Sequence, residues 1–430
     1  MEYPCGKKIE EEGKGEEKEK EGEKLNSEQA LGKIKDILKN IEKAEESEEA
    51  EKSRENYMSG KMIEPLKLEG NEKINEFIDN VFGDSGYNAR NLAEACSILK
   101  KMIEDPDNTT ICLTLAGAMT PIGMSGVIIE MMKLGFIDFI ISTGANLYHD
   151  LHRPYEFPMK QGEVNVDDAE LNELGISRIY DVFIEDSETL MATDKVILET
   201  LKSVPLRKPI STAEFHHALG LNVWKTASHP EKSLLAWAAK LNVPIYTSSP
   251  GDSSIGMNLA GAAMDGKHVY IDPLIDVTET TAIVMNGNKN GAIEIGGGSP
   301  KNFYMQTQPQ LWQILRIPKG GHDYFIQLTT DSPQWGGLSG ATPQEAKSWG
   351  KIKKESKNYA VVYSCASLTF PLLCQYARQS CKPRKLKELY LRREEFVKSM
   401  QKEANSVPIN IQEFRQLFNE EPKREIDFYD

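Results

Sequence analysis

Between residues 110 and 363 the chain alternates short, continuous apolar runs with longer stretches in which apolar positions recur every three or four residues. The runs predict strands at Thr110–Leu115, Phe136–Ser142, Arg178–Glu185, Pro244–Thr247, His268–Ile271, Gly291–Ile295, Tyr324–Leu328 and Tyr359–Tyr363. The periodic stretches predict helices such as Gly126–Leu134, Ser187–Leu201, Ser233–Leu241, Asn302–Leu315 and Leu368–Tyr376. Strands apolar on both faces and separated by helices predict an α/β fold, with a mostly parallel sheet covered by helices on both faces. In such sheets ligands bind where loops leave the carboxyl ends of the strands.

The two ends of the chain read differently. The first 60 of its 430 residues hold 18 acidic and 12 basic side chains, and residues 8–24 are nearly pure Glu, Lys and Gly. Such a segment cannot bury a core, so residues 1–60 are predicted to be a mostly disordered acidic extension. Only Leu31, Ile34, Leu38 and Ile41 recur there at helical spacing, which predicts one short amphipathic helix. Residues 61–383 then read as globular and are predicted to form a single large domain. Residues 384–430 are a charged helix, about Lys385–Ala404, and a polar tail.

Composition narrows the function. With 65 acidic against 51 basic residues the formal charge is −14, which argues against nucleic acid, since phosphate binding needs a basic face. No apolar run reaches the ~18 residues of a membrane span, and the amino-terminal stretch has no apolar signal region. Six scattered cysteines without a CxxC read as reduced thiols in a cytoplasmic protein.

Four post-strand loops concentrate glycine and small polar residues: LAGAMTPIGMSG from Leu115, STGANLYHD from Ser142, TSSPGDSSIG from Thr247 and IGGGSPKN from Ile295. Each alone is an ordinary strand-to-helix turn. Four together suggest a nucleotide or dinucleotide, because Gly lets the backbone approach anionic oxygens, although neither GxGxxG nor a Walker motif is present. The loop from Thr329 to Lys351 carries Trp335, Trp349, Glu345 and Lys351. Lys351 reads either as a solvated charge or as a desolvated amine able to attack a carbonyl or imine carbon. The histidines follow no metal spacing: His149 and His152 match no known ligand pair, and the adjacent His216 and His217 diverge by about 100° on a helix. No metal site and no GxSxG elbow are expected.

Taken in order, LAGAMTPIGMSG, IDFIISTGANLYHD, WAAKLNVPIYTSSPGDSSIG, GGGSPK, EAKSWGKI and YSCASLTFPLL resemble the deoxyhypusine synthase family, over about Met62 to Arg378. The resemblance implies a single Rossmann-like domain, NAD held at subunit interfaces and a homotetramer. It also implies a reaction in which an amine donor is dehydrogenated to an imine, its alkylamine group passes to a lysine as a Schiff base, and an acceptor amine takes the group before re-reduction. By position, Lys351 corresponds to the Schiff-base lysine and Glu345 to a substrate-site acid. Thr143, Asp252, Gly297, Gly298, Thr330, Ala366 and Ser367 fall where the family contacts NAD or builds its pocket. Gly117 and Gly144, in the same Gly-rich loops, complete the cofactor set. Trp335, Ser339, Trp349 and His149 are the candidate substrate contacts.

Departures from the family pattern bear on substrate. Asn302 stands where deoxyhypusine synthases carry a proton-shuttling His, and an amide can orient a nitrogen but not act as a base near neutral pH. Met257 and Leu338 replace two polyamine-binding acids, His149 a Glu, and Cys365 an Asp. The GGGSPKN and WGGLSGA style resembles the prokaryotic branch, associated with homospermidine-type products and with enzymes acting on agmatine. The leading expectation is a small-amine acceptor, putrescine or agmatine. The alternative is spermidine-dependent modification of a lysine of translation factor 5A, and a third reading is an inactive regulatory paralogue.

Overall fold

The computed structural model describes residues 27–45, 48–205 and 208–406, so the expected disorder of residues 8–24 and the tail beyond 406 lie outside the described residues. The chain divides into two units, Met1–Ile63 and Glu64–Asp430. In the first, the amphipathic pattern forms a helix Ser27–Glu45, and a second helix follows at Glu48–Met58. Leu31, Ile34 and Leu38 of the predicted stripe are all exposed within this unit, as is Ile37.

Among the described residues eleven strands occur, all in the second unit. They are β1 Thr110–Leu115, β2 Phe139–Ser142, β3 Met159–Gln161, β4 Ile176–Ile179, β5 Val182–Glu185, β6 Pro209–Ile210, β7 Ile245–Thr247, β8 Tyr270–Ile271, β9 Asn290–Ile295, β10 Tyr324–Thr329 and β11 Tyr359–Tyr363. Six form one sheet in the order β11-β10-β9-β1-β2-β7, with every pair parallel. Counted along the chain that order is 3-2-1-4-5-6 read from β7, the arrangement of dinucleotide-binding Rossmann folds, with its switch point between β1 and β9.

The apolar runs explain the layering. On one face Ile111, Leu113, Ile293 and Leu328 enter a core with the helix Tyr87–Glu104 and the helix Ala366–Ser380. On the other face Cys112, Ile141, Ala292 and Phe325 pack with Tyr304 and Met305 of the helix Gly298–Pro309. Alternate side chains of one strand thus serve two cores, which is why the strands read as continuously apolar.

Two predicted strands leave this sheet. Arg178–Glu185 is a hairpin rather than one strand: Tyr180 adopts a left-handed φ of 55°, β4 and β5 pair antiparallel, and β5 pairs antiparallel with β3 on its other side. His268–Ile271 shortens to β8, which pairs only with β6. The predicted strand at Phe136 starts at Phe139, because Gly135 (φ 71°) and the bond from Phe136 N–H to the Met131 carbonyl close the preceding helix first.

The expected helix from Lys385 begins only at Arg393 and runs to Ser406. Before it the chain is tied down as a strap: the Arg384 guanidinium donates to the carbonyls of Gly135 and Thr109 and to Asp138 at 2.7–2.9 Å. The helix itself buries Phe396, Val397 and Met400 in the second core.

Candidate active site

The parallel sheet puts the segments that follow β1, β2, β7, β9, β10 and β11 at one edge, and contacts show how four Gly-rich loops close on one another. At the switch point the Ala116 N–H donates to the Ile295 carbonyl at 3.1 Å. The Gly117 carbonyl accepts from Asn146 Nδ2 at 2.8 Å and from Thr143 Oγ1 at 3.3 Å. A methyl group on Gly144 would meet Ser253 Oγ at 2.4 Å, so the loops after β2 and β7 touch where only glycine fits. Ser299 Oγ donates to Ser248 Oγ at 2.8 Å, joining the loops after β7 and β9. Gly117 (φ 69°) and Gly298 (φ 57°) both take left-handed backbone and face open space. Left-handed glycine with no neighbour is a surface a ligand backbone or phosphate can approach closely.

Lys351 is set by local rules legible in TPQEAKSWGK. Thr342 caps the helix Pro343–Ser348 by accepting the Glu345 N–H at 3.1 Å, with Pro343 at the first helical position. The helix ends at left-handed Gly350 (φ 67°), and the Lys351 N–H returns to the Ala346 carbonyl at 2.9 Å. The chain then bridges to buried His322, whose N–H donates to the Lys351 carbonyl at 2.9 Å and whose carbonyl accepts from Lys353 at 3.0 Å. The backbone of Lys351 is therefore held on both sides while its side chain reaches Asn302, donating from Nζ to Oδ1 at 3.3 Å. The Trp349 ring lies 5.8 Å from that Nζ.

The surroundings disfavour a proton on Lys351. Partial burial and then the nearby Lys301 cation push its pKa down, opposed by Glu345 and Glu294. Lys301 is buried, with Nζ donating to Gln327 Oε1 at 2.9 Å and to the Ala341 carbonyl at 2.7 Å. Asn302 lines a cavity of about 380 Å³ whose walls carry Thr280, Gln306, Gln310, Gln313, Phe303 and Leu338. No carboxylate is among the residues that line it.

The structure thus brings Lys351, Asn302, Gly297 and Ser339 together. Gly298 N–H donates to Ser339 Oγ at 2.9 Å, and a Cβ on Gly297 would lie 2.4 Å from Ser339 Cα. Glu345 sits on the helix before Lys351, exposed, within electrostatic reach of both lysines. Asp252 and Thr330 are exposed at the same edge, on the loops after β7 and β10. Ala366 and Ser367 open the helix after β11, where Ser367 Oγ meets Cys365 Sγ at 3.0 Å. Trp335 is 71% exposed, and Trp349, Leu338 and Met257 are exposed too.

His149 turns inward instead. Its Nδ1 meets His152 Nε2 at 2.9 Å, and His152 Nδ1 meets Thr193 Oγ1 at 2.8 Å. Burial pushes the two rings down to about 4 and about 3, so both are neutral at physiological pH. His216 bonds to the Ile245 carbonyl and His217 stacks on Tyr390, which gives both structural roles. Among the described residues no group of three or more His, Cys, Asp or Glu is placed to hold a metal ion, and no helix is long and apolar enough to cross a membrane.

Sequence reasoning passed over Glu294, Lys301 and the glutamine wall of the cavity. A signal was present: Glu294 is the one charged residue in the apolar run GAIEI, and a lone charge inside a buried strand needs a reason.

An open parallel sheet with this strand order, with Gly-rich loops meeting at its switch point, is the architecture of the dinucleotide-binding α/β folds. The sequence profile of deoxyhypusine synthase matches residues 77–377. The chain is 45% identical over 350 residues to a deoxyhypusine synthase-like protein of Nostoc sp., covering 78% of this chain and 89% of that one. It is 43% identical to a protein of the same name from Thermosynechococcus vestitus, covering 79% and 86%. To "Probable deoxyhypusine synthase 2" of Methanosarcina acetivorans it is 38% identical, covering 70% and 86%. The chain belongs to the deoxyhypusine synthase family, whose members are transferases.

Proposed function

We propose that the chain is an NAD-dependent transferase that moves a 4-aminobutyl or 4-guanidinobutyl group between amines, with putrescine or agmatine as acceptor and Lys351 as the covalent carrier. The observation that carries this reading is the setting of Lys351: its Nζ is held by a neutral amide at 3.3 Å and pushed away from its ammonium form by burial and Lys301. A lysine whose ammonium form is disfavoured is a better nucleophile.

Gly117, Thr143, Gly144, Gly297 and Gly298 would receive the phosphates of NAD, and Asp252 a ribose diol. The open, left-handed Gly117 and Gly298 fit such a group. Thr330, Ala366 and Ser367, at the same edge, complete that pocket. Bound there, NAD supplies a hydride acceptor that returns the hydride at the end of the cycle.

The remaining work falls to the chain's own residues. Lys351 Nζ adds to the imine carbon of the donor and the original amine leaves with a proton. The Schiff base so formed on Lys351 is released when the acceptor amine adds to the same carbon. Asn302 orients the nitrogen at this centre through Oδ1, and Glu345 holds an ammonium group. The cavity beside Asn302 takes the alkylamine arm between Phe303 and Leu338, with Thr280, Gln306, Gln310 and Gln313 accepting N–H groups. A wall without carboxylates suits a short donor better than a triamine with several cationic centres. Trp335 and Trp349, with Ser339 beside them, offer stacking faces and a hydroxyl to a guanidinium.

Residues 61–383 carry the activity, in the cytoplasm. The exposed Trp335, Leu338, Trp349 and Met257 are the surface on which a second copy completes the site, in a homotetramer. Spermidine-dependent modification of translation factor 5A is the second reading, and the name of the Methanosarcina acetivorans relative favours it. An inactive paralogue is disfavoured by the intact anchoring of Lys351.

The test is one mass-spectrometric assay: purified protein and NAD with putrescine, spermidine or agmatine, with and without factor 5A. A free polyamine or bis-guanidino product without the factor supports the proposal. Mass gain on the factor's lysine alone replaces it with the second reading. Borohydride trapping should label Lys351 and be lost in Lys351→Ala, while NAD still binds by calorimetry; a label on Lys301 overturns the assignment.

A further inference from the structure

Asn146 is fully buried on the helix Gly144–Asp150 that follows β2, and its amide is spent on shaping the loop after β1. Its Oδ1 accepts the Met119 N–H at 2.9 Å and the Thr120 N–H at 3.1 Å. Its Nδ2 donates to the Gly117 carbonyl at 2.8 Å and to Thr143 Oγ1 at 2.9 Å. Two N–H groups facing one end and two oxygens facing the other leave this amide a single orientation. Thr143 joins the same knot: it stands just before the helix, yet its hydroxyl makes no cap and donates to the Gly117 carbonyl at 3.3 Å. Further along, Arg153 donates to the carbonyls of Thr120 and Pro121 and closes the far side of the loop.

The consequence falls on the peptide between Gly117 and Ala118. Carbonyl and N–H point opposite ways across a trans peptide, so a Gly117 carbonyl drawn inward by two donors turns the Ala118 N–H outward. Neither that N–H nor the Gly117 N–H meets an acceptor among the described residues. Two successive free N–H groups at a left-handed glycine make a concavity suited to an anion. It lies at the switch point of the sheet, beside the bond from the Ala116 N–H to the Ile295 carbonyl.

Gly117 has open space where a Cβ would stand, so left to itself this peptide would turn freely. Glycine supplies the close approach and Asn146 removes the freedom, an arrangement that does without the GxGxxG sequence. We propose that Asn146 is a positioning residue that pre-sets the Gly117 and Ala118 amides as a cradle for the pyrophosphate of a dinucleotide. The proposal rests on the reading of the Gly-rich edge as an NAD site.

Without the Asn146 amide the Gly117 carbonyl keeps only the longer bond from Thr143, and the Met119 and Thr120 N–H groups lose their acceptor. The cradle is then formed for only part of the time, and apparent affinity falls by that fraction. The expected loss of NAD affinity in Asn146→Ala is about tenfold to a hundredfold, the scale of one hydrogen bond to a charged group.

The experiment uses the full-length protein. Calorimetry measures NAD and ADP-ribose, which keeps both phosphates and lacks nicotinamide, and thermal unfolding is recorded in parallel. Hydrogen exchange read by mass spectrometry follows the amides of residues 115–120 with and without NAD. In the wild type NAD should protect the Gly117 and Ala118 N–H groups. Asn146→Ala should lose that protection and weaken both ligands by the same factor. Asn146→Asp keeps the size and the acceptor but sets an oxygen against the Gly117 carbonyl, and should weaken both as well.

Unchanged affinity in a folded variant overturns the role of Asn146, as does a lowered melting temperature with affinity intact. A loss confined to NAD and spared with ADP-ribose puts the defect at the nicotinamide end and overturns the cradle. If Asn146→Ala does not fold, Asn146→Asp decides. Wild-type binding of NAD without protection at Gly117 and Ala118 refutes the cradle whatever the variants do. Absence of NAD binding by the wild type brings down the NAD reading itself.

Discussion

Asn302→Asp is the most direct probe of the site, because it changes one atom and adds one charge. Oδ1 of Asn302 lies 3.3 Å from Lys351 Nζ. Two unit charges at that distance attract by about 5 kcal/mol at an effective dielectric of about 20. Lys351 is only partly buried, so solvent screening reduces this to about 2 kcal/mol, or about 1.5 pH units. The sign follows from which form is favoured: a carboxylate stabilises the ammonium and raises the pKa of Lys351. The free amine then appears only at higher pH, and the acid limb of trapping moves up by about 1.5 units. At the wild-type midpoint the trapping rate should fall about 15-fold, recovering at alkaline pH. The assay is the pH series of borohydride adducts at Lys351, with product formation followed in the same samples. A limb that does not move, or moves down, would show that Asn302 does not face the reacting amine and would refute the geometry argued here.

Two further variants test the scaffold. Gly297→Ala places a methyl group 2.4 Å from Ser339 Cα, a backbone atom that cannot swing aside, so the Leu338–Gly340 turn must shift along with Ser339 Oγ and the carbonyl that faces Lys301. Overpacking of this kind costs about 1–3 kcal/mol; calorimetry should find NAD affinity down at least about tenfold, and unchanged binding would contradict the close approach. Arg384→Ala leaves the buried Asp138 carboxylate with the Ile111 N–H and Lys387, and strips the carbonyls of Gly135 and Thr109 of a donor. Breaking a buried pair costs about 3–5 kcal/mol; urea unfolding should show that loss, and a change under about 1 kcal/mol would mean the strap is not a structural tie.

Much of the frame could be read from residue pattern. Strands such as TICLTL and NGAIEI are buried on both faces, and that demand alone excludes an alternating pattern. The hairpin at Tyr180 was invisible because nothing in RIYDVF marks a turn; a tyrosine in left-handed backbone is imposed by the surrounding packing and not by preference. The late start of the C-terminal helix follows from Arg384, whose guanidinium finds better partners in the body of the unit than in a helix of its own. At the site, capping chemistry made the segment around Lys351 legible, whereas the contact with Asn302 joins residues 49 apart and is set only by the fold. Glu294 was readable as an oddity but not as a neighbour of Gln327, because register across β9 and β10 decides which side chains share a face.

The bridge between His322 and Lys351 separates two duties. Gly321 (φ 98°) lets the strands touch there, since any Cβ would strike the Ile352 carbonyl carbon at 2.6 Å. Lys351 is thereby fastened beside the sheet independently of the Asp331–Ala341 loop, which borders the cavity through Leu338. On the role proposed for Lys351, substitutions in that loop redraw the fit to a donor without moving the nucleophile. On that reading, such a division would let a lineage trade one amine for another by small steps, each leaving Lys351 in place.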